Sequence, residues 1–267
     1  MSKKIFISAD IEGTTGACTW EDARKGTKEY ERQSKIMTEE VLSVVEGING
    51  RWKDCEIVIK DAHAAGTNLD AARFPGNCKI ISGWDGSPMC MMQGLDRGCD
   101  CSVLLGYHSA AGTDGSPLAH TFNPWKYVRI ELNGEIMSEF LVSYYTSLYF
   151  GVPVAMLSGD EGICTDAVRT DSQIITVAAH KGHGDCVVAN TPGRTQELLA
   201  CAVNGIREKE EYRLRELPGH FHVRAVYCKH QDALKSSCYP GCRQTDGRTV
   251  EFEASDFYEV LRLFVFI

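Results

Sequence analysis

The run Ile5-Phe6-Ile7-Ser8-Ala9-Asp10-Ile11-Glu12 decides the fold: a strand-like apolar segment that stops in two acids within three residues. The same design recurs twice. Ile57-Val58-Ile59-Lys60 runs into Asp61-Ala62-His63, and Val103-Leu104-Leu105-Gly106 runs into Tyr107-His108. In an open α/β sheet the carboxyl ends of the strands line a crevice where ligands bind, so groups far apart in sequence converge at one edge. Carboxylates and imidazoles meeting at such an edge point to a bound divalent metal.

Working outward, Met37, Val41, Val44, Val45 and Ile48 recur at helical spacing and predict a helix from about residue 28 to 48, with Asn49-Gly50 as its stop. Further strands are expected at 56–60, 79–81, 101–106, 127–132 and 154–157, with Asn133-Gly134 as a turn pair and an apolar helix over 137–150. Alternating strands and helices predict an α/β fold: a mostly parallel sheet covered by helices on both faces. Beyond Asn190-Thr191-Pro192-Gly193 the pattern changes to a charged helix through Arg207 and Lys209, strands near 222–227 and 249–252, and a final apolar helix. This predicts a metal-binding catalytic domain over 1–190 and a smaller C-terminal α+β portion over 191–267.

The chain has 267 residues, 43% hydrophobic and 24% charged, enough for a full core. A net charge of -8 argues against nucleic acid or anionic lipid as partner, since both reward an excess of Lys and Arg. No apolar stretch is long enough to cross a bilayer, so no membrane association is expected. The amino terminus runs straight into a strand, without the pattern of a signal peptide. Twelve cysteines without a Cys-x-x-Cys pair suit reduced thiols and a cytoplasmic location.

Asp10 and Glu12 lie two apart, so both would project to one side if the strand continued, and such a pair repels unless a cation or shared proton intervenes. Alone, Asp-x-Glu reads as a solvated turn; His63 and His108 read singly as hydrogen-bonded histidines. Their conjunction favours a metal site. Glu139 is the only charged side chain between Glu135 and Asp160, in a segment of Phe, Leu, Val, Tyr and Met. A buried carboxylate requires a partner, either a metal or a role in capping its own helix. His120 lies on the loop after the fourth strand. It reads as a sixth ligand, a general base or a loop histidine, and a catalytic role without direct metal contact is favoured.

The set Asp10-x-Glu12, Asp61-x-His63, Gly106-Tyr107-His108, His120 and Ser138-Glu139 resembles the D-aminopeptidase family of zinc peptidases associated with dipeptide-transport operons. Ile36-Met37-Thr38-Glu39-Glu40, Ile81-Ser82-Gly83 and Val152-Pro153-Val154 support the likeness. The resemblance implies two zinc ions per chain, with Asp10 bridging, Glu12 and His63 completing one site, and His108 and Glu139 the other. It also implies a homo-oligomer in the form of a decameric ring. The expected function is hydrolysis of the amino-terminal residue of short, D-amino-acid-containing peptides through a metal-bridging hydroxide. An acid such as Asp160 or Glu161 could hold the substrate amino group.

Two alternatives compete. Asp10-Ile11-Glu12-Gly13-Thr14 and Gly159-Asp160-Glu161 also resemble a haloacid-dehalogenase-type magnesium phosphatase using Asp10, although imidazoles favour zinc over magnesium. The other is a non-catalytic, metal-stabilised assembly subunit.

Overall fold

The computed structural model describes residues 2–267. Seven strands form the first sheet: β1 (Lys3–Ala9), β2 (Cys55–Asp61), β3 (Cys78–Ile81), β4 (Cys101–Tyr107), β7 (Val154–Asp160), β8 (Ile175–His183) and β9 (Cys186–Ala189). Their order is β3-β2-β1-β4-β7-β8-β9, parallel except for β9, which returns antiparallel along β8. From β1 the chain winds outward through β2 to β3, then crosses to the other side of β1 to form β4. The seam between β1 and β4 is therefore a topological switch point, where α/β sheets place ligands.

Successive side chains of a strand alternate between faces. Ile5, Ile7 and Ala9 pack on one face with Met37, Val41 and Val44 of α2 (Lys28–Arg51) and Leu199 of α5 (Pro192–Ala202). Phe6 and Leu104 face the other way, against Phe140 and Tyr144 of α3 (Glu139–Tyr149) and Ile163 of α4 (Glu161–Thr170). Helices cover both faces, as the sequence predicts. Helix α2 runs through Asn49-Gly50 and ends where the Trp52 amide donates to the Ile48 carbonyl. Core packing of Met37, Val41, Val44, Val45 and Ile48 outweighs the cost of two helical glycines, Gly47 and Gly50, about 1 kcal/mol each.

The second sheet is antiparallel, in the order β11 (Arg243–Gln244), β12 (Thr249–Ala254), β10 (Phe221–Tyr227), β5 (Tyr127–Leu132) and β6 (Glu135–Ile136). The sequence reading runs 127–132 on as one more strand of the parallel series, but β5 pairs with β10, some ninety residues away. The reason lies in its side chains: Tyr127, Ile130 and Leu132 are buried while Val128 is exposed, the one-sided pattern of an antiparallel sheet. Asn133 and Gly134 both take positive φ, joining β5 to β6 in the tight hairpin that this pair favours. The expected charged helix through Arg207 and Lys209 is instead α5, which ends at Ala202.

The boundary between the sheets does not fall at residue 190. Strands β5 and β6 precede it yet lie in the second sheet, and α5 follows it yet packs on the first. Helix α3 faces both: Phe140 and Tyr144 enter the first core, while Leu141 and Val142 join Phe257, Val260 and Leu261 of α7 (Phe257–Phe266). Helix α6 (His230–Ser237) packs against the second sheet through Ala233. Among the described residues no helix is long and apolar enough to cross a membrane, and all twelve cysteines are free thiols.

Candidate metal centre

The ends of β1, β2 and β4 meet as the spacing predicts, but the local geometry differs from a continued strand. Beyond Ala9 the chain keeps its bond to β4, with the Asp10 amide on the Leu105 carbonyl at 2.8 Å, then turns so that the Gly13 amide reaches the Gly106 carbonyl at 2.8 Å. The turn, not strand alternation, brings Asp10 and Glu12 to the same side. It demands glycine twice. A Cβ on Gly13 would sit 1.8 Å from the Tyr107 carbonyl oxygen, and one on Gly106, at φ +69°, would sit 2.1 Å from that of Asp10.

Asp10, Glu12, His63, His108, His120 and Glu139 are all buried and gather at this point. They form two groups whose ligand atoms lie within 4.8 Å of one another: Asp10, Glu12 and His63, and His108, His120 and Glu139. Asp10 joins the groups. Its Oδ1 is 3.3 Å from His63 Nδ1, and its Oδ2 is 3.5 Å from His108 Nε2. Glu12 Oε2 is 3.0 Å from His63 Nδ1, Glu139 Oε2 is 3.5 Å from His108 Nε2, and Glu139 Oε1 is 3.7 Å from His120 Nε2. His120 thus has its free nitrogen near the second group, which fits the sixth-ligand reading as well as the favoured catalytic role without direct metal contact.

Each imidazole is oriented by its other nitrogen. His63 Nε2 donates to the Ala23 carbonyl at 2.7 Å, His108 Nδ1 to that of Ser109 at 3.0 Å, and His120 Nδ1 to that of Leu118 at 2.9 Å. A carbonyl only accepts, so in all three rings the bonded nitrogen carries the proton and the other turns toward carboxylate oxygen. Two acceptors face each other unless a proton or a metal cation lies between. This backbone-oriented arrangement is that of metal-ligating histidine. His108 Nε2 and Glu12 Oε2 are buried without an aligned hydrogen-bond partner, and among the described residues no Lys or Arg pairs with Asp10, Glu12 or Glu139. The donor set therefore fits divalent cations, which would neutralise three buried carboxylates.

Without a metal the groups push one another apart. Burial and the neighbouring Glu12 charge hold Asp10 well above the usual carboxylate range. Burial acts to lower His108, but Glu139 and Asp10 outweigh it and raise that imidazole to about 10. Burial and the adjacent His108 charge lower His120, keeping it neutral.

Supporting groups hold these residues. Glu139 is the first residue of α3: Ser138 caps the helix by accepting the Leu141 amide, so the capping role belongs to Ser138, while Glu139 Oε1 accepts the Phe122 amide at 2.6 Å. Asp61 is not in the cup. Its carboxylate accepts the Asn68 and Leu69 amides and so shapes the loop that carries His63. Asp160 and Glu161, read from sequence as possible anchors for a substrate amino group, are placed elsewhere. Asp160 is fully buried, caps α4 at the Ile163 amide at 2.9 Å and takes the Ser109 amide at 2.6 Å, fixing the chain just after His108. Glu161 is exposed and paired with Lys181 at 2.6 Å.

A cavity of about 620 Å³ opens on the cup, bounded by Trp20, Trp84, Trp125, Phe122 and, from α7, Phe264. Sequence reading misses these walls because all but Phe264 lie on loops or the four-residue α1 (Trp20–Ala23), which carry no periodicity. Trp20 meets His120 edge-on at 5.3 Å. Trp84 is clamped, its Nε1 donating to the Ala64 carbonyl at 2.7 Å and the buried Lys60 ammonium 3.9 Å from its ring centre. Three cavity residues other than glycine take positive φ: Ala64, Cys90 and Phe122. Such strain costs about 1–3 kcal/mol per residue and clusters at functional sites. Full burial of one Phe6 or Leu104 offsets it, at about 1.5–3 kcal/mol each.

A doubly covered α/β sheet with paired carboxylate–imidazole clusters at its switch point defines a metal-dependent hydrolase. The chain belongs to the D-aminopeptidase family, whose model matches residues 3–266. It is 26% identical over 260 residues to a D-aminopeptidase of Bacillus subtilis (strain 168), covering 96% of this chain and 93% of that protein. Its fold is similar, with TM-score 0.90 at 24% identity over 98% of this chain and 95% of the other, to a solved structure described as the Zn-dependent D-aminopeptidase DppA from Bacillus subtilis, a self-compartmentalizing protease. The phosphatase alternative finds no support: its distal acidic motif would be Asp160, which is spent on Ser109 and Ile163, and it leaves three oriented imidazoles without a role. Nor does a purely structural metal site account for the cavity that opens on the cup.

Proposed function

We propose that this chain is a zinc-dependent aminopeptidase that removes the amino-terminal residue of short peptides, with D residues preferred, and that it works as a homo-oligomer, a ring of ten chains. The carrying observation is the orientation of the three imidazoles, each tied to a backbone carbonyl and turned onto carboxylate oxygen. Zinc is favoured by this mixture of nitrogen and oxygen donors and by the description of the fold's solved relative as Zn-dependent and self-compartmentalizing.

Asp10, Glu12 and His63 would hold one ion; His108 and Glu139, with the second oxygen of Asp10, would hold another. Ions held there would supply Lewis acidity toward the scissile carbonyl and a nucleophile from water near neutral pH. His120 keeps its proton on Nδ1, donated to Leu118, and offers Nε2 as a neutral base. It takes a proton at Nε2 during attack and returns it to the leaving amine, a role worth about 10²–10⁴ in rate. Trp20 and the stacked His108 hold the ring plane for that transfer. The aromatic walls offer an apolar surface against which substrate side chains would pack.

Metal analysis of the purified chain, together with paired assays on D-alanine and L-alanine amides, tests this reading. Two zinc ions per chain and faster turnover of the D amide are expected. A magnesium-only protein, or one without amidase activity at full zinc content, overturns it. Light scattering checks the ring.

A further inference from the structure

The cavity is acidic and metal-binding at its floor and aromatic along its walls, but its mouth carries one basic side chain, Arg24. Arg24 is the last-turn neighbour of Ala23, whose carbonyl orients His63, so its backbone is tied to the cup through one residue. The Arg24 carbonyl itself accepts from Thr27 Oγ1 at 3.0 Å, which holds its backbone at the end of α1. Among the described residues the Arg24 guanidinium makes no ion pair or hydrogen bond, whereas the nearby Arg32 is paired with Asp22. The other charge at the mouth, Asp85, has Oδ1 occupied by the Ser87 amide at 2.8 Å.

We infer that Arg24, which lines the mouth of the cavity, is the receptor for the free C-terminal carboxylate of the substrate. The inference rests on the aminopeptidase reading above. An aminopeptidase places the substrate's amino end at the metal cup, so the opposite end of a short peptide points toward the mouth. Two residues span at most about 7 Å when extended, a length that a cavity of about 620 Å³ accommodates with its side chains. A guanidinium matches a carboxylate with two parallel hydrogen bonds, a geometry that a lysine or a neutral donor does not reproduce.

The test compares D-Ala-D-Ala with its C-terminal amide on the zinc-loaded, full-length protein. Wild type should favour the free acid by about tenfold to a hundredfold in kcat/KM, expressed mainly in KM and weakened by added salt. Arg24→Gln should erase that preference, and Arg24→Lys should restore part of it. Zinc content and thermal unfolding of both variants establish that they are folded and loaded. If wild type hydrolyses acid and amide equally, or Arg24→Gln keeps the wild-type ratio, the carboxylate receptor is wrong while the aminopeptidase reading stands. If wild type cleaves neither compound, that reading falls and takes this inference with it.

Discussion

His108 and His120 lie face to face, ring centres 4.1 Å apart and planes within 7°. Two imidazolium ions do not stack at that distance, so only one ring is charged in the metal-free protein, and Glu139 and Asp10 favour His108. Zinc at His108 would take the place of that proton and leave His120 neutral, with a free nitrogen beside the reacting groups.

His120→Ala should therefore lower kcat by about 10²–10⁴ while two zinc ions remain per chain. The check is metal analysis beside single-turnover kinetics. Loss of one zinc would reassign His120 to the second ion, which its 3.7 Å approach to Glu139 makes the competing outcome.

Asp10→Asn removes the one carboxylate among the described residues that offers one oxygen to each group. Zinc stoichiometry should fall from two toward one or none, and activity by more than about 10³, since the nucleophile and the oxyanion would lose their shared support. A variant that keeps both ions with near-wild-type turnover would contradict the bridging role.

The pH dependence has opposite signs with and without metal. The raised pKa of His108, about 10, contributes stability to the metal-free protein that is fully present below the unfolded imidazole value of about 6.5. That contribution is lost as pH rises through 10. Zinc must displace this proton, so its affinity rises across the same window. Zinc titration at pH 8 in weak buffer should release protons, seen with an indicator dye, and the unfolding midpoint of chelated protein should drop between pH 7 and 10.

Gly106→Ala should destabilise the fold by about 2–4 kcal/mol and also reduce zinc binding. The added methyl would meet the Asp10 carbonyl oxygen at 2.1 Å, in a backbone conformation that L side chains rarely adopt. Denaturant unfolding and metal content measure the two effects. Gly134→Ala, where a Cβ meets nothing, should cost stability alone.

Strands β1, β2, β3, β4 and β7 and the cup are legible in sequence because they rest on short-range signals, whereas β8 and β9 are not among the strands the sequence predicts. β1, β2 and β4 are neighbours, so acids and histidines at their ends had to meet, and Glu139 stood out as a lone charge among apolar residues. The partner of β5 was not legible, since pairing across some ninety residues leaves no local trace. Asp160 looked like a site acid but is a helix cap, a role that depends on Ser109 arriving from another strand end. Arg24 and Trp84 were invisible for the same reason: nothing periodic announces a loop that leans over a pocket.

The cup is furnished by residues 10–139, yet part of its rim comes from Leu261, Phe264 and Val265 of α7. Chemistry and admission are thus assigned to different layers of the molecule. Changes in that terminal helix can retune which peptides enter while the six side chains of the cup stay as they are, so selectivity in such a chain has freedom to drift that catalysis lacks.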